Sequence, residues 1–244
     1  MIGLAELPAR LAEVRERIAA ACARAGRRPE DVTLIGVTKT HPAALVEAAW
    51  KAGLSVIGEN RVQEALGKSR ELIALPSPPE GPAWHLIGPL QSNKVRPALD
   101  LFRTIHSIDR PKIAEAIDHE ARARGLRIDG FLEVNVGGEA SKHGFPPDPP
   151  DGFAEAVRPL AGLRGPEGLR IVGLMAIPPF GDDPEESRRW FVRLRELAAG
   201  LAARPEWAGF PGLLSMGMSH DYEIAVEEGA THVRVGTALF GTRG

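Results

Sequence analysis

The chain has 244 residues, 43% of them hydrophobic, which is enough for one large α/β barrel or two small domains and matches an ordinary globular protein. Thirty Lys+Arg against 32 Asp+Glu leave a net charge of -2 with no basic block, so the expectation is no nucleic-acid and no membrane partner, but a small molecule. One cysteine, Cys22, excludes an internal disulfide; nothing resembles a signal peptide, no apolar run approaches the roughly 20 residues of a membrane span, and a cytoplasmic protein is expected.

Leu4, Leu7, Leu11, Val14, Ile18, Cys22 and Ala25 recur at three- and four-residue steps before Gly26, which predicts an amphipathic N-terminal helix within 1–26. Short apolar runs then alternate with helical stretches. Strands are predicted at 32–38, 54–58, 84–87, 104–108, 130–136, 170–177, 212–216 and 232–235. Helices fit between them at 42–52, 60–74, 92–100, 110–124, 151–162, 184–203 and 220–229. Strict alternation implies parallel strands, and eight units in about 210 residues match a single (β/α)8 TIM barrel domain over 1–244, with a doubly wound sheet as the alternative. The short stretch after the last strand leaves little room for an eighth outer helix, so the N-terminal helix is expected to fill or flank that gap. The proline-rich stretches at 76–82 and 146–151 read as stiff surface loops.

In a barrel the strand C-termini and following loops form the active face. "VTLIGVTKTHP" places Lys39 at the end of the first strand, where a partly desolvated amine could attack carbonyls as a Schiff-base lysine, or could simply pair with an acid such as Glu59. The second strand ends in Glu59-Asn60. Ser219, Gly236 and Thr237 follow strands seven and eight, where barrels often bind phosphate; singly, Ser219 also reads as a helix N-cap and Gly236 as a turn. Lys39 and such a cup suggest a phosphorylated aldehyde, with pyridoxal 5'-phosphate (PLP) the commonest cofactor of that kind. Arg234, on the same strand face as Gly236, reads either as a donor toward the pyridine nitrogen or as an ion-pair partner of Glu133. "GMSHD" cannot make a Ser-His-Asp triad from consecutive side chains, and the seven histidines show no metal-ligand spacing, so no metal is expected. Tyr222 is expected to pack rather than react.

"GVTKTHP", "IGENRVQE", "WHLIGPLQSNK", "IHSIDR", "VNVGGEASKHG", "GLMAI", "LSMGMSHD" and "VRVGTALFG" resemble, in order and spacing, the pyridoxal phosphate homeostasis proteins. The resemblance implies a barrel similar to the N-terminal domain of alanine racemase that binds PLP as a carrier or regulator without an established reaction. It further implies that Lys39 is the Schiff-base lysine and that Ser219, Gly236 and Thr237 contact the phosphate. Arg234 would partner the pyridine nitrogen, Asn60 would lie beside the ring, and Lys142 would be the family's second lysine, without an assigned role. An arginine cannot accept the proton that makes the pyridine ring an electron sink, which favours holding over catalysis. On this reading the protein is expected to lack the additional domain that gives alanine racemase its second acid/base. The expectation is therefore a monomer that carries PLP reversibly and passes it to apo PLP-dependent enzymes, with a PLP-dependent amino-acid racemase-like enzyme as the alternative.

Overall fold

The computed structural model describes residues 4–72, 75–76, 80–139, 143–163 and 165–241, so Lys142 lies outside the described residues. Helix α1 (Leu7–Arg24) buries Leu7, Leu11, Val14, Ile18 and Cys22 along one stripe. Gly26, at φ 63°, closes it: its N–H donates to the Ala23 carbonyl and the Arg27 N–H donates to Cys22, a left-handed cap that few other residues would accept.

The eight expected strands form at β1 (Thr33–Val37), β2 (Val56–Glu59), β3 (Ala83–Leu86), β4 (Thr104–Ile108), β5 (Arg127–Val134), β6 (Gly168–Ala176), β7 (Leu213–Met218) and β8 (His232–Val235). Every neighbouring pair is parallel, and β8 lies beside β1, with Arg234 opposite Ile35, to close the barrel. Helices α2 (Ala43–Lys51), α3 (Val62–Glu71), α4 (Val95–Ala98), α5 (Pro111–Ala123), α6 (Pro150–Val157), α7 (Arg188–Ala202) and α8 (Tyr222–Glu227) alternate with the strands. Their apolar faces cover the outside of the sheet, as parallel strands buried on both faces require.

Boundaries depart from the predicted ones where the chain chemistry changes. The helix expected over 151–162 stops at Val157 and continues as a 3-10 turn at Arg158–Leu160, because the Pro159 ring cannot sit behind another full α-turn. Strand β1 ends at Val37, so Lys39 stands in the turn beyond the strand. After β8 there is a single helical turn, α9 (Thr237–Phe240). As expected, α1 packs over this region, against α8 and α9, and the Arg17–Glu223 and Arg24–Glu227 pairs tie it to α8. Tyr222 is 1% exposed at the start of α8, with the Arg17 guanidinium over its ring. Among the described residues, no helix is long and apolar enough to cross a membrane.

The barrel interior is partly polar. His85, His106 and His232 lie together, with His106 stacked on Phe131 at 4.4 Å and Phe131 itself packed with Val172 and Met175. Burial holds all three imidazoles neutral: desolvation, then His232, pulls His85 down to about 3, and desolvation, then Arg234, pulls His232 down to about 4. His106 is also held well below its usual range, by burial first and then by the neighbouring histidines and Arg234. Unfolded histidines titrate near pH 6.5. Because the folded values lie lower, the unfolded state takes up more protons, so this contribution is complete above pH 6.5 and is lost as pH falls toward 4 and below. The loss approaches about 1.4 kcal/mol per histidine for each pH unit. Denaturant midpoints are therefore expected to drop between pH 7 and pH 5, less so in a His85→Leu variant; an unchanged midpoint would count against buried neutral rings.

Candidate functional site

At the C-terminal end of the strands opens a cleft of about 600 Å³, a volume suited to a small ligand. Lys39, Asn60, Ser219, Arg234, Gly236 and Thr237 all line it, so the structure brings every sequence-derived site residue into one place. Pro178, Pro179 and Phe180, from the loop after β6, form part of its rim.

Three loops shape this cleft. On the β1 side, Lys39 lies between two residues fixed by buried charge. Thr38 donates from its hydroxyl to Glu59 Oε1 (2.6 Å), while its carbonyl accepts from Lys68 Nζ (2.7 Å). Lys68 also donates to Glu59 (2.7 Å) and Glu64 (2.8 Å), and Glu64 accepts from the Thr40 N–H. Thr40 sits at φ 67°, in the left-handed region that a β-branched residue rarely occupies. The reading of Lys39 as the ion-pair partner of Glu59 is corrected: Lys68, on α3, takes that role. Burial pushes the Glu59 carboxyl up, against the hydrogen bonds from Lys68 and Thr38, and Glu59 Oε2 has no hydrogen-bond partner.

On the β7 side, the strand is bulged between Ser215 and Met218. Gly217 lies there at φ 89°, and a Cβ would come within 2.5 Å of the Ala225 Cβ, so only glycine lets the strand bend beneath α8 and send Ser219 into the cleft. Ser219 does not cap α8; Asp221 occupies that position and its Oδ1 accepts from the Met218 N–H (2.7 Å). Ser219 Oγ instead accepts from the Gly236 N–H (3.0 Å) and Ala238 N–H (3.3 Å), so two backbone donors after β8, on either side of Thr237, converge on one point.

Arg234, buried beneath these loops, makes no ion pair with Glu133 and none with any other carboxylate among the described residues. Its Nη1 donates to Ser215 Oγ (2.7 Å) and its Nη2 to the Ala176 carbonyl (2.9 Å), both neutral acceptors. Desolvation pulls the guanidinium down to about 10, against the more distant charges of Asp221 and Glu133, so it stays a cation at neutral pH. Ser215 in turn hydrogen-bonds His106 Nδ1 (2.8 Å), and His106 Nε2 meets His85 Nδ1 at 3.0 Å. Sequence reasoning passed over Thr38, Glu64, Lys68, His85, His106 and Ser215. One signal could have found two of them: Glu64 and Lys68 stand four apart on one helix. Among the described residues, no group of three His, Cys, Asp or Glu is placed to hold a metal ion.

A closed parallel barrel whose strand ends gather a lysine, hydroxyls, convergent amides and a buried arginine places the chain in the class of the "Alanine racemase, N-terminal domain", whose family model matches residues 10–244. A pyridoxal phosphate homeostasis protein of Pseudomonas aeruginosa is 46% identical over 233 residues, covering 96% of this chain and 94% of its own. PipY of Synechococcus elongatus, solved with PLP bound, is 40% identical with a TM-score of 0.78, covering 93% of this chain and all of its own. An unknown protein from Bifidobacterium adolescentis reaches a TM-score of 0.85 at 37% identity, covering 98% of each chain. The chain belongs to the pyridoxal phosphate homeostasis protein family.

The Lys68–Glu59 pair gives the site its clearest stability test. Side chains of Lys68 and Glu59 are 7% and 0% exposed, so Lys68→Met strands a buried carboxylate, at a cost of about 3–5 kcal/mol. Urea unfolding should show that loss, and Lys68→Met/Glu59→Gln should recover part of it; a loss below about 1 kcal/mol would mean that the pair does not hold this turn.

Proposed function

We propose that this protein holds pyridoxal 5'-phosphate reversibly in the cleft, covalently on Lys39, and passes it to apo PLP-dependent enzymes, acting as a monomeric cytoplasmic carrier and buffer rather than as a catalyst. The observation that carries this reading is the convergence in one cleft of a primary amine, a pair of backbone N–H groups meeting at the Ser219 hydroxyl with Thr237 lining the same cleft, and a buried cation without a carboxylate partner. Relatives named for PLP homeostasis, and PipY solved with PLP bound, support it.

The residues present fit the group. A phosphate oxygen is a better acceptor than Ser219 Oγ for the Gly236 and Ala238 N–H groups, and Ser219 and Thr237 can then turn their hydroxyls to donate as well. A Cβ on Gly236 would meet Val37 only at 3.5 Å, so packing does not demand glycine there; its value is the room it leaves for a ligand against the backbone. Arg234 brings a positive charge that the protein leaves unpaired, which favours an anionic ligand. Bound there, PLP supplies an aldehyde with which a primary amine condenses reversibly, releasing water. Lys39 supplies that amine from a turn whose two flanking residues cannot drift, and Asn60 borders the space a ring would fill. Arg234 donates without being able to accept a proton, so a ring nitrogen facing it would keep its lone pair, which opposes the use of the ring as an electron sink.

Protein mixed with PLP should turn yellow, and borohydride should then fix the cofactor's mass on the Lys39 peptide. In Lys39→Ala that label should fall at least tenfold, as expected for loss of the attacking amine. Full labelling of the variant would place the attachment elsewhere. The loaded protein should also reactivate an apo PLP-dependent enzyme, and failure to do so would leave storage without delivery.

A further inference from the structure

His85, His106, Ser215 and Arg234 come from four different strands, yet they hydrogen-bond in series across the barrel interior, at 3.0, 2.8 and 2.7 Å. The order of donors in this series is fixed by chemistry. A guanidinium has only donors, so Ser215 Oγ accepts from Arg234; the oxygen could also accept from His106, but among the described residues it has no third partner to take its own proton, which therefore goes to His106 Nδ1. A neutral imidazole whose Nδ1 accepts carries its proton on Nε2, and His106 Nε2–H therefore donates to His85 Nδ1. His85 is then forced into the same tautomer. Burial keeps both rings neutral, so neither can donate from both nitrogens.

The surroundings restrict every member. His106 lies flat on Phe131, with 7° between the ring planes, which opposes a ring flip. At the other end, the Ala176 carbonyl holds the second terminal nitrogen of Arg234 at 2.9 Å. Both terminal nitrogens are thus tied on the barrel side, while Arg234 also lines the cleft.

We propose that Ser215, His106 and His85 are positioning residues, a one-way hydrogen-bond chain that holds Arg234 in a single donor orientation at the floor of the cleft. Its consequence for a bound ring, a floor that meets a lone pair and rejects a protonated nitrogen, rests on the PLP reading above. The chain itself does not.

The first test therefore uses the ligand-free protein with 15N-labelled histidine. Multiple-bond 1H–15N NMR should find the proton of both His85 and His106 on Nε2; a proton on His106 Nδ1 overturns the proposal whether or not PLP binds. The second compares His106→Leu with His106→Asn, whose side-chain oxygen can still accept from Ser215. The Arg234 guanidinium resonances should stay resolved in the parent and the Asn variant and collapse through free rotation in the Leu variant. PLP affinity should fall about tenfold or more in the Leu variant, the effect of one charged hydrogen bond, with the Asn variant close to the parent. Should His106→Leu fail to fold, Ser215→Ala removes the Nη1 link of the arginine together with the link to His106, and carries the same expectations. Unchanged guanidinium signals in Leu or Ala variants overturn the positioning role; unchanged signals with no PLP binding by the parent would overturn both readings, and the expected signals without PLP binding would overturn the PLP reading alone.

Discussion

The buried Lys68–Glu59 pair is the constraint on which the site depends. Taking both charges out of water is expensive, and it is offset only because Lys68 finds three oxygen acceptors while Glu59 also accepts from Thr38. Two of the groups so engaged belong to Thr38, and Glu64, the third acceptor of Lys68, also takes the Thr40 N–H. Lys39 thus projects from a turn with its neighbours fixed on both sides, and the unfavourable left-handed conformation of Thr40 is held by the same network. Such a pair adds less to overall stability than its short distances suggest, because desolvation consumes most of the attraction; what it fixes is the direction in which Lys39 leaves the barrel.

Electrostatics set the character of the opposite wall. Arg234 is a buried cation with neutral neighbours, and the histidines beneath it cannot relieve that charge; a proton on His106 or His232 would add a second positive charge nearby, which is one cause of the lowered pKa values of those two. Two amide donors after β8 point the same way. The cleft therefore presents positive potential at its floor and donors at its rim, an environment that selects anions by field as well as by contact.

Much of the architecture was legible because each βα unit writes a short apolar run, a break and an amphipathic stretch, and all eight strands lie close to their predicted positions. Local chemistry at the strand ends was harder to read. Ser219 carries the residue type of an N-cap, but a bulge at Gly217, visible only once α8 packs on β7, turns its hydroxyl toward the amides of another loop. Glu59 was read as an internal ion-pair partner, yet the cation is Lys68 on the following helix, where the sequence looks like an ordinary amphipathic face. His106 and Ser215 sit on strands far apart in the chain, and nothing in either segment announces the other until the barrel closes. Arg234 departs from expectation in a similar way: its partners are a hydroxyl and a carbonyl, a choice that pairwise charge reasoning does not anticipate.

Holding and catalysis differ here in the fate of a proton on carbon. An anchor amine with a donor-only arginine retains an aldehyde and exchanges it with other amines; racemisation would also require the α-hydrogen of an amino acid to leave and return. The most direct measurement is proton NMR of an amino-acid panel incubated in heavy water with PLP-loaded protein. The holding account predicts α-hydrogen signals that persist over many equivalents of protein-bound PLP, at the rate set by free PLP alone. Loss of those signals at enzymic rates, dependent on Lys39, would contradict it.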